Sequence, residues 1–265
     1  MTPSTVLATG IRFGEGPRWR DSRLWFSDFY DHAIKTVDES GRVETVLEIA
    51  GQPSGLGWLP DGSLLFVSML DRKLMRLEDG RPVEHADLAG IATFHCNDMV
   101  VDAQGRAYAG NFGFDLDHEI SARGPESVIA DHPTADLALV APSGAVSIAA
   151  QALHFPNGAV ITPNGRTLIV AETLGGCLTA FDVDASGGLS NRRPWAQLPA
   201  GRLPDGICLD ADGHIWVANP LAPEALLVAE GGEVLEVVET SEPCYACMLG
   251  GADGRTLFCL TAANS

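Results

Sequence analysis

Residues 203–218 read Leu203-Pro204-Asp205-Gly206-Ile207-Cys208-Leu209-Asp210-Ala211-Asp212-Gly213-His214-Ile215-Trp216-Val217-Ala218, and this stretch decides the fold. One short apolar run, Ile207-Cys208-Leu209, is followed by an Asp212-Gly213 turn and a second apolar run from Ile215. Two such runs joined by Asp-Gly predict a β-hairpin, because that turn matches the twist of paired strands. Eight residues before Gly213 stands Asp205, a carboxylate at the entrance to the first strand.

The unit recurs along the whole chain. Its other copies are Asp21-Ser22-Arg23 before LWFS, Asp61-Gly62-Ser63 before LLFV and Gln104-Gly105-Arg106 before AYAG. Asn164-Gly165-Arg166 before TLIV and Asp253-Gly254-Arg255 before TLFC complete the set. The markers fall at 22, 62, 105, 165, 213 and 254, with gaps of 40, 43, 60, 48 and 41. A period of this size, built from short strands and hairpin turns, is the signature of propeller blades. The expected fold is all-β, a six-bladed β-propeller forming a single domain over residues 1–265. No long amphipathic helix pattern competes with it. Only one strand, TLFCLTA, follows Gly254. Residues 5–11 are therefore expected to supply an N-terminal strand that joins the last blade and closes the ring. The gap of 60 holds residues 113–143, an excess of about 15 residues, which is long for a structureless connection. It follows a strand directly. A lid over one mouth of the ring and a decoration of its outer edge are both open readings.

Six positions share one phase of the repeat. Counting back eight residues from the glycine of copies two to six gives Ser54, Asn97, Asn157, Asp205 and Ala246, and Glu15 lies seven before Ser22. On a propeller, equivalent positions of the innermost strands converge on the axis. Glu15, Asn97, Asn157 and Asp205 would then form an all-oxygen group, suited to calcium, magnesium or manganese, with zinc accommodated by carboxylates and water. Asn-Gly and Asp-Gly are also ordinary turn chemistry, which explains any one of these residues. Four at one phase point instead to a metal or substrate centre.

Strand alternation places His95 on the face of Asn97 and turns Cys96 away. A channel-facing imidazole can donate to a substrate carbonyl or carry a proton near neutral pH, and it can equally line the pocket. Phe112 reads as a pocket wall and Tyr30 as packing. Met69 and Met99 read as core, Trp19, Trp25, Trp58 and Trp216 as packing between blades, and His154 as structural. No Gly-rich phosphate loop, nucleophile elbow or H-E-x-x-H helix is present, so nucleophilic serine or cysteine catalysis has little support.

The net charge of −18 argues against nucleic acid, whose phosphates require a basic footprint. No run reaches the roughly 18 apolar residues of a membrane helix, and the N-terminal residues lack a signal pattern. A cytoplasmic protein, monomeric or a small homo-oligomer, is the expectation. Six cysteines in such a chain read as buried thiols, and Cys244-x-x-Cys247 has no second pair to complete a zinc site.

Four stretches carry a resemblance: Glu15-Gly16-Pro17-Arg18-Trp19, Asn97-Asp98 with Val101-Asp102, Pro156-Asn157-Gly158 and Pro204-Asp205-Gly206. With Cys247-Met248-Leu249-Gly250-Gly251 in the last copy, the whole chain resembles the SMP-30/gluconolactonase/luciferin-regenerating enzyme family. The resemblance implies a six-bladed propeller with one divalent metal ion held by Glu15, Asn157 and Asp205. It implies Asn97 beside the metal on substrate or water, and Asp205 as the base that activates water. The implied reaction is opening of a lactone, a sugar-acid lactone or a less polar cyclic ester, with the metal as Lewis acid. Phosphotriester hydrolysis, a non-hydrolytic ring reaction and a non-catalytic binding propeller are the alternatives. Family members that open sugar lactones often carry Arg two residues before the Asn97 equivalent. Here His95 replaces that rigid donor fork, which weakens the match to a polyhydroxylated substrate.

Overall fold

The computed structural model describes residues 2–263. The first sheet is an antiparallel meander of Gly14–Arg20, Arg23–Asp28, Ala33–Val37 and Val43–Glu48. Three more four-stranded sheets start at Pro53–Trp58, Cys96–Val101 and Pro156–Ile161, and a fifth starts at Ile207–Leu209. The sixth copy of the repeat, Cys244–Gly250 with Thr256–Thr261, forms only a two-stranded sheet. The arrangement is a β-propeller of five full blades and a hairpin, so the expectation of six blades is not met by six full sheets.

The turns are wider than the two-residue turn expected. The Asp210 N–H bonds the His214 carbonyl, and Asp102 N–H bonds that of Arg106, leaving three residues in each loop. Gly213 and Gly105 adopt φ of +89° and +82°, the left-handed conformation that completes such a loop.

Apolar clusters seal successive sheets face to face. Ile34 meets Leu56 and Phe66 between the first and second blades, and Val67 and Leu74 meet Met99 and Ala109 between the second and third. Tyr108 and Leu137 meet Val170 and Phe181, and Leu178 and Trp195 meet Val217 and Leu226. The hairpin packs on both neighbours: Cys244 and Cys247 against Cys208 and Trp216, and Phe258 and Leu260 against Leu24 and Phe26. Trp19 stacks on Phe258 and Trp25 meets Trp58 edge-on, so these tryptophans do pack between sheets. Met69 and Met99 are core residues, and all six cysteines are free thiols.

The closure differs from the expectation. Residues 5–11 form no strand, and Thr2–Pro3 pairs in parallel with Val234–Glu239 at the outer edge of the fifth blade. Ala8 and Ile11 instead pack irregularly between the first blade and the hairpin, and the amides of Arg12 and Phe13 bond the Asp28 carboxylate. A carboxylate thus takes the amides that a sheet ladder would have used.

The long insertion is not one loop. Asp115 caps the helix Leu116–Arg123 by accepting from His118 N–H, Pro125–Ala130 follows, and Ala135–Val140 is already the third strand of its blade. Val128 anchors the second helix against Phe155 and Leu174. His132 Nδ1 lies 2.9 Å from the Val128 carbonyl, and its Nε2 lies 3.0 Å from His154 Nδ1. A carbonyl only accepts, so with both rings neutral His132 Nε2 is the acceptor and His154 the donor. Among the described residues no helix is long and apolar enough to cross a membrane.

Candidate metal and substrate centre

Five of the six innermost strands bend where the shared-phase residue stands, and the fifth blade's begins only after it, at Ile207. The register breaks between Glu15 and Arg18, Pro53 and Leu56, Cys96 and Met99, Pro156 and Ala159, and Cys244 and Ala246. A bulge re-aims the side chains beside it. Glycine follows the shared phase at Gly16, Gly55, Gly158 and Gly206. A Cβ on Gly55 would lie 2.3 Å from Met99 N, and one on Gly158 2.6 Å from the Asp205 carbonyl. Adjacent inner strands approach this closely only because those positions have no side chain.

The structure brings the sequence-predicted residues together. Ser54 Oγ lies 3.2 Å from Asn97 Oδ1, Asn97 Nδ2 donates to Asn157 Oδ1 at 2.8 Å, and Asn157 Nδ2 donates to Thr173 Oγ1 at 3.1 Å. Neighbouring blades are thereby linked through their side chains. The Asn157 carbonyl oxygen retains a second lone pair. Glu15, Asn97, Asn157 and Asp205 are all buried, and Ser54 is fully so.

Asp98 is the group that strand alternation misses. The bulge at Cys96–Met99 breaks the period of two, so Asn97 and Asp98 are both buried beside the other carboxylates. A signal existed in the sequence: four of the six copies carry Gly at this position, and the third carries Asp98. Arg18, half-buried beside the same strands, donates to the carbonyls of Pro17 and Met99 and faces Asp98 electrostatically.

Electrostatics set this group apart. Burial raises Glu15 well above the ordinary carboxylate range, and the charges of Asp205 and Asp98 add to it. Burial raises Asp205 likewise, with Asp98 adding and a hydrogen bond from Asn157 opposing. Burial pushes Asp98 up to about 6 against the pull of Arg18. Glu15 Oε2 and Asp98 Oδ1 are buried with no hydrogen-bond partner, which is costly for an acceptor removed from water. When ionised, these three carboxylates and one guanidinium leave two negative charges. A hard divalent cation fits that charge and that oxygen donor set.

His95 sits above this layer, half-buried and stacked on Phe94 with ring centroids 4.0 Å apart. Burial lowers its pKa, Asp115 opposes and Arg72 assists. Asp117 acts on both His95 and Tyr30. The start of the insertion's first helix thus lies within electrostatic reach of both the third blade's His95 and the first blade's Tyr30. Phe112 packs on Phe155, centroids 4.6 Å apart, in the cluster that anchors the second helix.

Two other groupings stand apart from the axis. A groove of about 600 Å³ runs between the insertion and the fourth blade, lined in part by His154, Glu172 and Arg192. Its buried carboxylate is already paired, since Glu172 accepts from Arg192, Thr179 and the His154 amide. Asp210, Asp212 and His214 offer ligand atoms within 4.8 Å of one another, at a hairpin turn.

The family model described as SMP-30/Gluconolactonase/LRE-like region matches residues 13–263. A pentonolactonase, XacC of Haloferax volcanii, is 27% identical over 271 residues, covering 100% of this chain and 86% of that protein. Regucalcin of Danio rerio is 25% identical, covering 97% of this chain and 85% of its own length. The solved structure of regucalcin from Agrobacterium tumefaciens, described as a calcium-binding protein, superposes with a TM-score of 0.81 at 21% identity. It covers 99% of this chain and 88% of that one. With a matching family model over nearly its whole length, the chain belongs to the SMP-30/gluconolactonase/LRE-like family.

Proposed function

We propose that this protein is a divalent-metal-dependent hydrolase that opens lactones, with Glu15, Asn157 and Asp205 as the metal ligands. The two-stranded sheet is then the reduced sixth blade of a single closed ring. The observation that carries the reading is the buried, partnerless carboxylate oxygen of Glu15 beside Asp205 and Asn157. The pentonolactonase and calcium-binding relatives support the reaction class and the kind of ion, though not the ion's identity. A bound divalent ion would supply Lewis-acid polarisation of the lactone carbonyl and stabilise the charge that develops on its oxygen.

The remaining steps belong to the chain's own groups. Asn97, fixed by Ser54 on one side and Asn157 on the other, orients substrate or the attacking water. Asp205 accepts a proton from that water as its oxygen bonds the acyl carbon. The ring C–O bond then breaks, and the proton passes to the departing alkoxide, giving the hydroxy acid. His95, held neutral by burial, donates to the substrate's polar edge at the mouth. Asp98 and Arg18 position the ligands from beneath.

Glu15→Gln and Asp205→Asn test the assignment, with lactone opening followed by pH-stat and bound metal measured by elemental analysis. Both variants should lose metal and turnover together. Full turnover by either variant in metal-free form would overturn the reading.

A further inference from the structure

The layer above the shared-phase residues has a different character, and its positions are fixed by hydrogen bonding. The carbonyls of Phe13, Gln52, His95 and Phe155 each accept from the residue that follows the second strand of their blade. Those donors are Phe29, Met69, Phe112 and Thr173 respectively. Of these four inner positions two are aromatic, Phe13 and Phe155, and two are polar, Gln52 and His95, whereas the layer below them holds Glu15, Ser54, Asn97 and Asn157.

The aromatic residues gather on two sides. In the first blade Phe13 packs on Phe29 and on Tyr245 of the hairpin, with centroids 4.5 and 4.4 Å apart, and Phe29 meets Tyr30 at 4.4 Å. Between the third and fourth blades, Phe112 packs on Phe155. In each group an inner ring is buried and an outer ring is left partly open. Phe13 and Phe155 are 4% and 5% exposed, while Phe29 and Phe112 are half-buried and Tyr30 is 41% exposed. Phe29 follows the second strand of the first blade and Phe112 that of the third, one blade apart, and both also pack against the apolar core between the second and third blades. Open ring faces backed by rigid rings are surfaces that an apolar planar group can cover at little entropic cost. Gln52 and His95 supply donors on the second and third blades, whereas the first and fourth present rings that cannot hold sugar hydroxyls. Unmatched hydroxyls would lose their water without replacement. Asp115 and Asp117, above His95 and Tyr30, add negative charge that disfavours an anionic substituent.

We propose that the mouth selects a neutral lactone bearing an apolar, planar substituent, with the ring ester over the inner carboxylates and the substituent between the Phe29 and Phe112 walls. This assignment of substrate class rests on the hydrolytic reading above. Phe29 and Phe112 are specificity determinants here and take no part in bond making.

The test compares kcat/KM for γ-phenyl-γ-butyrolactone, unsubstituted γ-butyrolactone and glucono-1,5-lactone in the metal-loaded enzyme. The phenyl lactone should exceed both of the others by about tenfold or more. The ratio of phenyl to unsubstituted lactone should fall about tenfold in Phe29→Ala and in Phe112→Ala, chiefly through KM, and recover in part in the leucine variants. A preference for the gluconolactone, or alanine variants that lower all three substrates equally, would overturn the proposal. If no lactone turns over, hydrolysis itself fails, and recognition is read separately from binding. γ-Phenyl-γ-butyrolactone should then raise the Tm of the wild type saturably and leave that of the Phe29→Ala/Phe112→Ala double variant unmoved. Equal shifts in both proteins would sink the recognition claim too.

Discussion

Carboxylates stand at both ends of the innermost strands, and the two ends treat them in opposite ways. At the hairpin end, Asp61 accepts from the Ser63 amide, and Asp102 accepts from those of Gln104 and Arg106. Asp210 does the same with Asp212 and His214. Hydrogen bonds from Ser63 pull Asp61 below the ordinary carboxylate range. At the axial end, burial pushes Glu15, Asp98 and Asp205 above it, and two of their oxygens find no donor. Similar side chains in one repeat thus serve as turn cement at one end and as a reserve of uncompensated charge at the other. Residue type does not separate the two roles; the supply of N–H donors and water does.

The sharpest way to break this contrast is to neutralise one carboxylate at the axial end. Asp205→Ala should lower kcat by about 10³-fold or more, since it removes a metal ligand and the proposed base together. Stopped lactone assays at saturating metal read the loss. Retention of more than about a tenth of wild-type turnover would return Asp205 to the class of turn residues.

A second expectation concerns pH. The folded-state pKa values of the axial carboxylates are raised, so in metal-free protein the folded state holds more protons than the unfolded chain between the two values. Stability then falls as pH rises, from near 3.8 through about 6 for Asp98, and the raised Glu15 and Asp205 carboxyls act in the same direction. Added divalent metal should reverse the slope, because ligation requires the ionised forms and its apparent affinity grows with pH. Urea denaturation in EDTA and in excess calcium between pH 5 and pH 8 measures both slopes. Parallel curves would mean that the axial group holds no ion.

Asp98→Asn sharpens the comparison further. It removes one of the three axial charges while keeping the shape, and it should weaken metal binding by about tenfold, the effect expected of a group that supports ligands. It should also flatten the metal-free pH slope, which a merely structural role would leave in place. Isothermal titration with calcium supplies the affinity.

The difference between the two ends also governs what the sequence could reveal. The shared phase of Glu15, Asn97, Asn157 and Asp205 is legible because turn glycines give a fixed point from which to count. Asp98 is not, because the bulge between Cys96 and Met99 breaks the alternation on which face assignment depends. The helix Leu116–Arg123 buries no residue, so it carries no apolar stripe, and only its Asp115 cap and the following Pro125 mark helical chain. Residues 5–11, expected as a strand, instead pack Ala8 and Ile11 irregularly, and the amides that follow them, of Arg12 and Phe13, go to Asp28. Pairing partners far along the chain are what local pattern leaves undetermined.

The smallest effect is expected where the residue types look most like a metal site. Asp210, Asp212 and His214 cluster closely enough to suggest ligands. However, Asp210 Oδ1 already accepts two amides, at 2.9 and 2.7 Å, and Oδ2 lies 3.2 Å from His214 Nδ1. These contacts close the turn that joins Ile207–Leu209 to Ile215–Asn219 and leave the carboxylate little unmet demand. Asp210→Ala should therefore cost about 1 kcal/mol of stability, the usual value of lost turn hydrogen bonds, and change neither metal stoichiometry nor lactone turnover. Chemical denaturation with elemental analysis of the same sample separates the two ends: loss of bound metal in this variant would move the metal centre from the axis to the turns.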